Sequence, residues 1–285
     1  MRQNQEKLTI RFAVPEDTPA VVGLWSVCFP GDKGFQDYFF AHLYDPGCNL
    51  LLLRGDKLCA MAQMLPYRMQ NGCKTEKVTY IYGACTHPDC RRQHLMDTLL
   101  RRSFELDCEM GRAASVLIPQ EAWLFDFYAQ FGYVPALFVS DRQYTEKPDA
   151  APCSLRSAQA EDLSVMDALF HAQLWEGAYL CRDEAEWRKQ LELFSGCGGE
   201  VLCTGPAGAP DGYAFVWPSD TQVWAQELVC APETEQGFVA ALMERFNRPA
   251  CHVTGLGFSN RQPLGCVLRH DAARPADGYM NLMLN

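Results

Sequence analysis

No run of about 18 uncharged apolar residues, the length a membrane-spanning helix requires, occurs in the 285 residues, so no span is expected. Positive charge is scarce as well. The 25 Lys and Arg stand against 35 Asp and Glu, a formal charge of −10, which argues against the basic surfaces that hold nucleic-acid phosphates or anionic lipid. The deficit is uneven, with 16 basic and 18 acidic residues up to Ala150 but 9 and 17 beyond it. A cationic partner is electrostatically easier for the second half. Nothing at the polar start, with Arg2, Gln3, Asn4, Gln5 and Glu6, resembles a secretory segment, so a cytoplasmic chain is expected. Its 14 cysteines are then free thiols of a reducing compartment. C-x-x-C pairs are missing too. The nearest grouping, Cys85, His87, Cys90 and His94, falls across a strand end and a helix start, and no metal site is expected.

What is present is a globular composition, 48% hydrophobic and 21% charged, and an internal repeat. Ile10-Arg11-Phe12-Ala13-Val14-Pro15-Glu16-Asp17 is echoed by Leu155-Arg156-Ser157-Ala158-Gln159-Ala160-Glu161-Asp162, with Arg, Ala, Glu and Asp coinciding. Leu24 and Trp25 correspond to Leu169 and Phe170. Each copy opens as a strand, a turn with acidic residues suited to a helix start, and a helix. Between the copies, two prolines among charged and small residues mark a linker at 147–152. The expected division is therefore a first domain 1–146 and a second 153–285.

After the opening, the first half reads as a helix over 34–44, strands over 49–54 and 58–68 around Gly55-Asp56-Lys57, and a third strand over 77–86 ended by Pro88. Leu95, Leu99, Leu106 and Met110 recur on one face of a helix reaching about Gly111. A strand over 114–118, a helix over 121–130 stopped by Gly132 and a strand over 133–144 complete the order βααβββαβαβ. The fold class is α/β with a mixed sheet.

That order, with Thr86-His87-Pro88-Asp89-Cys90-Arg91-Arg92-Gln93-His94-Leu95-Met96 and the later Phe127-Tyr128-Ala129-Gln130-Phe131-Gly132-Tyr133, resembles the GNAT superfamily of N-acetyltransferases over residues 8 to 145. The two-copy layout is similar to tandem members of the enhanced-intracellular-survival group. The resemblance implies tandem GNAT-like domains, the second degenerate, and acetyl-CoA as acyl donor. Physically, a strand that turns into a helix leaves unpaired N–H groups at the helix start, a ready anion site. The resemblance assigns the donor's pyrophosphate to Arg91, Arg92, Gln93, His94, Leu95 and Met96. His94 stands where the superfamily has glycine and Met96 where it has Gly or Ala. Three readings of His94 are open: a side chain turned outward, a residue that contacts phosphate, or the mark of a decayed site. In the second copy the turn holds Glu233-Thr234-Glu235-Gln236, whose charge repels a pyrophosphate, so no donor site is expected there.

Acetyl transfer to an amine needs a neutral amine, a polarised carbonyl and a proton for the departing thiolate. The resemblance gives the proton to Tyr128, with Phe127 beside it expected in the core. Backbone groups at Ala84, Cys85 and Thr86 would meet the carbonyl where the third strand parts from its neighbour. Thr79-Tyr80-Ile81-Tyr82-Gly83 offers no carboxylate base, which leaves water or, by analogy with the enhanced-intracellular-survival group, the terminal carboxylate of Asn285. The expected activity is N-acetylation of a small-molecule or peptide amine. The alternative is an inactive acyl-CoA-binding or regulatory protein. Oligomeric state, self-association included, is not readable from the sequence.

Overall fold

Leu50, Leu51 and Leu52 follow one another in β2 (Asn49–Arg54) and all three are buried, which requires cover on both faces of the sheet. The computed structural model describes residues 7–31, 33–174, 177–257, 260–281 and 284, and supplies both covers. On one face, Leu50, Leu52 and Ile81 pack with Leu95 and Leu99 of α3 (Leu95–Glu109) and Tyr128 of α4 (Ala122–Ala129). On the other, Trp25 of α1 (Thr18–Cys28) and Phe39 of α2 (Lys33–His42) lie against Tyr82, the neighbour of Ile81 in β4 (Lys74–Thr86). No helix among the described residues is long and apolar enough to cross a membrane.

The chain divides into two compact units. The first holds the residues up to Pro135 together with Gly265–Pro275. In it β1 (Leu8–Phe12), β2, β3 (Lys57–Asn71) and β4 are antiparallel neighbours. β5 (Ala114–Leu117) then runs parallel to β4, the pairing that needs a crossover, here α3. The expected order βααβββαβαβ is met through β6 (Val134–Tyr144).

The division between the units differs from the expected one at 147–152. β6 belongs, from Ala136 on, to the second unit, where it pairs with β12 (Cys251–Gly255). Conversely, Cys266–Arg269 of β13 (Arg261–Arg269) pair with β5 in the first unit. The irregular stretch over 145–155 exists, but it lies inside the second unit. Pairing between residues more than a hundred positions apart leaves no mark in local composition, which is why the exchange is invisible in sequence.

The second unit comprises Ala136–Leu264 and the residues from Ala276 on. After β7 (Arg156–Ser157) come α5 (Leu163–Gln173), β8 (Ala178–Leu180), α6 (Glu184–Gly196), β9 (Glu200–Thr204), β10 (Gly212–Pro218), β11 (Val223–Cys230), α7 (Glu235–Phe246) and β12. β11 and β12 are parallel, as β4 and β5 are. β14 (Gly278–Tyr279) joins β6 and β8. The sequence echo is also an echo in geometry. Arg11 donates to both carboxylate oxygens of Asp17 at 2.6 and 2.9 Å, and Arg156 does so to Asp162 at 2.7 and 2.8 Å. Each Asp also accepts from the backbone N–H three residues before it, that of Val14 at 2.8 Å and of Gln159 at 2.7 Å. The coinciding residues are thus the two ends of one bidentate clamp, and hydrogen bonding to Arg11 holds the Asp17 carboxyl down at about 2.

One expected helix face shifts. Leu95 and Leu99 are buried in α3, but Met110 is exposed, and Ser103 and Asp107 complete the inward row. Asp107 is buried because distant groups satisfy it: Thr79 donates to it, His270 Nε2 lies 3.1 Å away and Arg112 3.6 Å.

Candidate active site

Two features of β4 build the site. Its ladder with β5 covers Val78 to Tyr80, while the strand itself continues to Thr86. Against β3 the register slips: Met61 pairs with Cys85 but Gln63 with Tyr82, so β4 carries an extra residue around Gly83. Gly83 has φ +58°, and a Cβ there would stand 2.4 Å from the Trp25 ring. Both the backbone angle and the aromatic cover demand glycine. β4 therefore parts from β5 where Ala84, Cys85 and Thr86 were expected to meet a thioester.

The chain next makes a short turn at Pro88–Cys90 and enters α3 through Arg91–His94. Arg92 and His94 have φ +60° and +56°, a left-handed pairing that costs a non-glycine residue about 1–2 kcal/mol each. That cost explains the superfamily's glycine at the His94 position. The first helical bond from here is Thr98 N–H to the His94 carbonyl, and helix geometry leaves the N–H groups of Leu95, Met96 and Asp97 without an intrahelical acceptor. The His94 side chain is 86% exposed, with Nδ1 3.2 Å from Asp97 Oδ2, which agrees with the outward-turned reading. Met96 is half-buried and packs on the core cluster, as Leu95 does from a fully buried position. Gln93 accepts from Arg54 at 2.6 Å, and Arg91 Nε donates to the Thr86 carbonyl at 3.2 Å. The exposed Arg91 and Arg92 add positive charge beside the free amides.

The residues weighed as a metal grouping do not converge. Cys90 Sγ meets Cys59 Sγ at 3.1 Å, His87 caps the Asp89 amide, and His94 turns to Asp97.

Tyr128 is the one buried residue of α4, against the expectation that Phe127 would be its core member. Their rings are 5.2 Å apart, and Tyr133 is 5.7 Å from Tyr128 on another side. Burial, then the neighbouring thiols of Cys266 and Cys85, push the phenol up to about 12. Tyr128 therefore stays protonated at neutral pH. Asp126 on the same helix and Glu121 just before it are exposed. Asn285 lies outside the described residues.

Residues 9–136 match the Acetyltransferase (GNAT) domain family. That stretch is similar to a GNAT acetyltransferase domain and spans a little under half of the chain. Solved structures agree on the fold. A GCN5-related N-acetyltransferase from Kribbella flavida aligns at TM-score 0.72 and 17% identity, over 94% of this chain and 72% of that one. One from Anabaena variabilis gives 0.71 and 15%, over 92% and 72%. Eis1 from Mycobacterium abscessus gives 0.62 and 14%, over 92% and 73%. Among curated proteins none matches the chain.

Within residues 9–136, two groups had no sequence signal. Gln63 is fully buried with neither amide atom partnered, and its cross-strand neighbour Asn49 leaves Oδ1 unpartnered. Cys28, at the end of α1, reaches the Thr86 carbonyl at 3.5 Å. Hydrogen bonding from Cys85 and, less strongly, from Arg91 outweighs its partial burial and lowers the thiol to about 7. Cys85 moves up correspondingly, chiefly through the same contact. Trp25 and Phe39 are buried at 5% and 0% exposure and belong to the core.

The orientation of His94 makes a prediction. His94→Gly removes a side chain that faces water and relieves the left-handed backbone, so acetyl-CoA affinity measured by calorimetry is expected to stay within about threefold, about 0.6 kcal/mol. A tenfold loss would mean that the imidazole itself holds phosphate.

Proposed function

We propose that the chain is an N-acetyltransferase that moves the acetyl group of acetyl-CoA to a primary amine. The observation that carries this reading is Tyr128: a buried phenol, packed with Ile81 of β4 and Leu95 of α3, against the strand whose ladder to β5 ends at Tyr80. The substrate's diphosphate fits the amides of Leu95, Met96 and Asp97, flanked by Arg91 and Arg92, where the helix start favours an anion. The pantetheine arm then runs past Ala84, Cys85 and Thr86, whose backbone groups orient the thioester. Tyr128 donates to the sulfur as it leaves. The strand segment Thr79–Gly83 holds no carboxylate, so the amine loses its proton to water or to the terminal carboxylate of Asn285.

In this reading the second unit is a second GNAT-like copy without a donor site. Glu235 stands at the start of α7 and accepts from Arg142 at 2.6 Å and Tyr144 at 2.8 Å. An internal carboxylate thus takes the place an external anion would need. The acceptor is a small-molecule or peptide amine, and the acidic second half of the sequence favours a cationic one.

Calorimetry with acetyl-CoA, followed by thiol release with a polyamine, an aminoglycoside and a basic peptide, tests the proposal. Micromolar binding and thiol release with one of the amines are expected. Binding without release from any amine would make the chain an acyl-CoA-binding protein, and absence of binding would remove the donor assignment.

A further inference from the structure

Cys59 and Cys90 stand 31 positions apart in the chain, yet their sulfurs meet at 3.1 Å. The backbone arranges this contact. Against β2, Leu53 pairs with Leu58 but Leu52 with Ala60, so Cys59 is an extra residue of β3, and a bulge of this kind re-aims a side chain. The Cys59 carbonyl accepts from the His87 N–H at 2.8 Å, and the His87 carbonyl accepts from the Cys90 N–H at 2.8 Å. One short turn thus carries Cys90 back to the bulge. Two residues before Cys59, Lys57 Nζ donates to Asp89, the neighbour of Cys90, at 3.3 Å. Main chain, ion pair and thiols therefore hold the same two segments in one register.

The sulfurs need to approach by only about 1 Å to reach the bonding distance of about 2.05 Å. Both cysteines are buried, at 0% and 3% exposure, which shuts out bulky reagents. The way in is short, however. The Lys57 and Asp89 side chains beside them are 51% and 71% exposed, and a surface ion pair is weak enough to open readily. A small polar oxidant can then pass.

We propose that Cys59 and Cys90 are a redox-active dithiol, which a hydroperoxide converts into a disulfide that clamps β3 to the turn leading into α3. One sulfur attacks a peroxide oxygen, the O–O bond breaks, and a sulfenic acid and one water form. The second sulfur then attacks the first, an S–S bond forms, and the sulfenic oxygen leaves with the second thiol proton as another water. The two sulfurs lose two electrons in all and the peroxide gains them. Burial pushes the Cys59 thiol up to about 11, which suits it to the second step, where proximity to a touching neighbour replaces intrinsic reactivity. In a reducing compartment such a bond is transient, and a dithiol reductant restores the pair.

The test treats the full chain with hydrogen peroxide, blocks the remaining thiols, and compares it with the same chain reduced by dithiothreitol, using intact mass, peptide mapping and calorimetric melting. A loss of two hydrogens, a peptide cross-linked between Cys59 and Cys90, and a melting temperature higher by on the order of 5 °C in the oxidised form are expected, all reversed by dithiothreitol. Cys59→Ala and Cys90→Ala should each abolish the cross-link and the rise, whereas the double variant Cys73→Ala with Cys108→Ala, which removes the two exposed thiols, should keep both. Wild type measured in its two redox states needs no variant to fold. Recovery of Cys59 and Cys90 as free thiols or as separate sulfinic acids would overturn the proposal, as would cross-links spread over Cys73 and Cys108.

Discussion

Tyr128→Phe is expected to lower kcat by about 10²- to 10⁴-fold, the usual worth of a positioned proton donor, while acetyl-CoA affinity stays within about twofold. The variant keeps the ring contacts to Phe127 and Tyr133 and removes one oxygen. The raised phenol also fixes how it acts. Complete transfer from a phenol held at about 12 to an alkyl thiolate, whose acid is the stronger of the two, is uphill. Hydrogen-bond donation in step with cleavage of the C–S bond is therefore the economical path, with the proton passing fully only as the thiol departs. Steady-state kinetics should show the loss in kcat and not in KM, the pattern of an interaction made only in the transition state. Because the phenol stays protonated until about pH 12 instead of 10, the wild-type rate should show no fall from its ionisation as pH rises to 10. A kcat within about threefold of wild type would take Tyr128 out of the mechanism.

Local chemistry was readable from the sequence where a residue's partner is near in the chain. The β2–β3 turn, the helix start after Arg91 and the breaks at Pro88 and Gly132 declare themselves through turn residues and apolar spacing. The echo of Arg11 and Asp17 in Arg156 and Asp162 was legible for the same reason, since each clamp closes over six residues. What the sequence hid depends on distant partners. The inward turn of Asp107 requires Thr79 and His270, so the leucine spacing alone pointed to Leu106 and Met110. The exchange of β6 and β13 between units rests on strand pairing across the chain. Cys28 looked like any of 14 cysteines until the Thr86 carbonyl stood beside it, and nothing local marks Gln63 as a buried amide without a hydrogen-bond partner.

Glu227→Ala is expected to destabilise the second unit by about 3–5 kcal/mol, the cost of leaving a buried charge without its counter-ion. Counting along the repeat from Cys85 and Cys230, Glu227 occupies in β11 the place of Tyr82 in β4, so the second copy has on its third strand the carboxylate that the first lacks. It is sealed. Glu227 is fully buried, and Arg182, 7% exposed, donates to its two oxygens at 2.5 and 2.7 Å. Tyr213 and Tyr279 add hydroxyls at 3.0 and 2.5 Å. The guanidinium, 4.4 Å from the Phe170 ring centre and 4.9 Å from that of Trp187, also donates to the Asn281 carbonyl at 2.9 Å. The cluster therefore ties β10, β14 and the segment after β8 to β11 through one carboxylate. Removing it strands Arg182 among aromatic rings, and with a total stability of about 5–15 kcal/mol the unit would stand close to unfolding. Calorimetric melting should fall by on the order of 10 °C. The double variant Arg182→Met with Glu227→Leu should recover a large part of that loss, because apolar groups of similar size replace a desolvated ion pair at little cost. The remainder would come from the two tyrosine hydroxyls left without an acceptor. A single variant that melts within about 2 °C of wild type would mean that water reaches this carboxylate and that the second unit is not held by it.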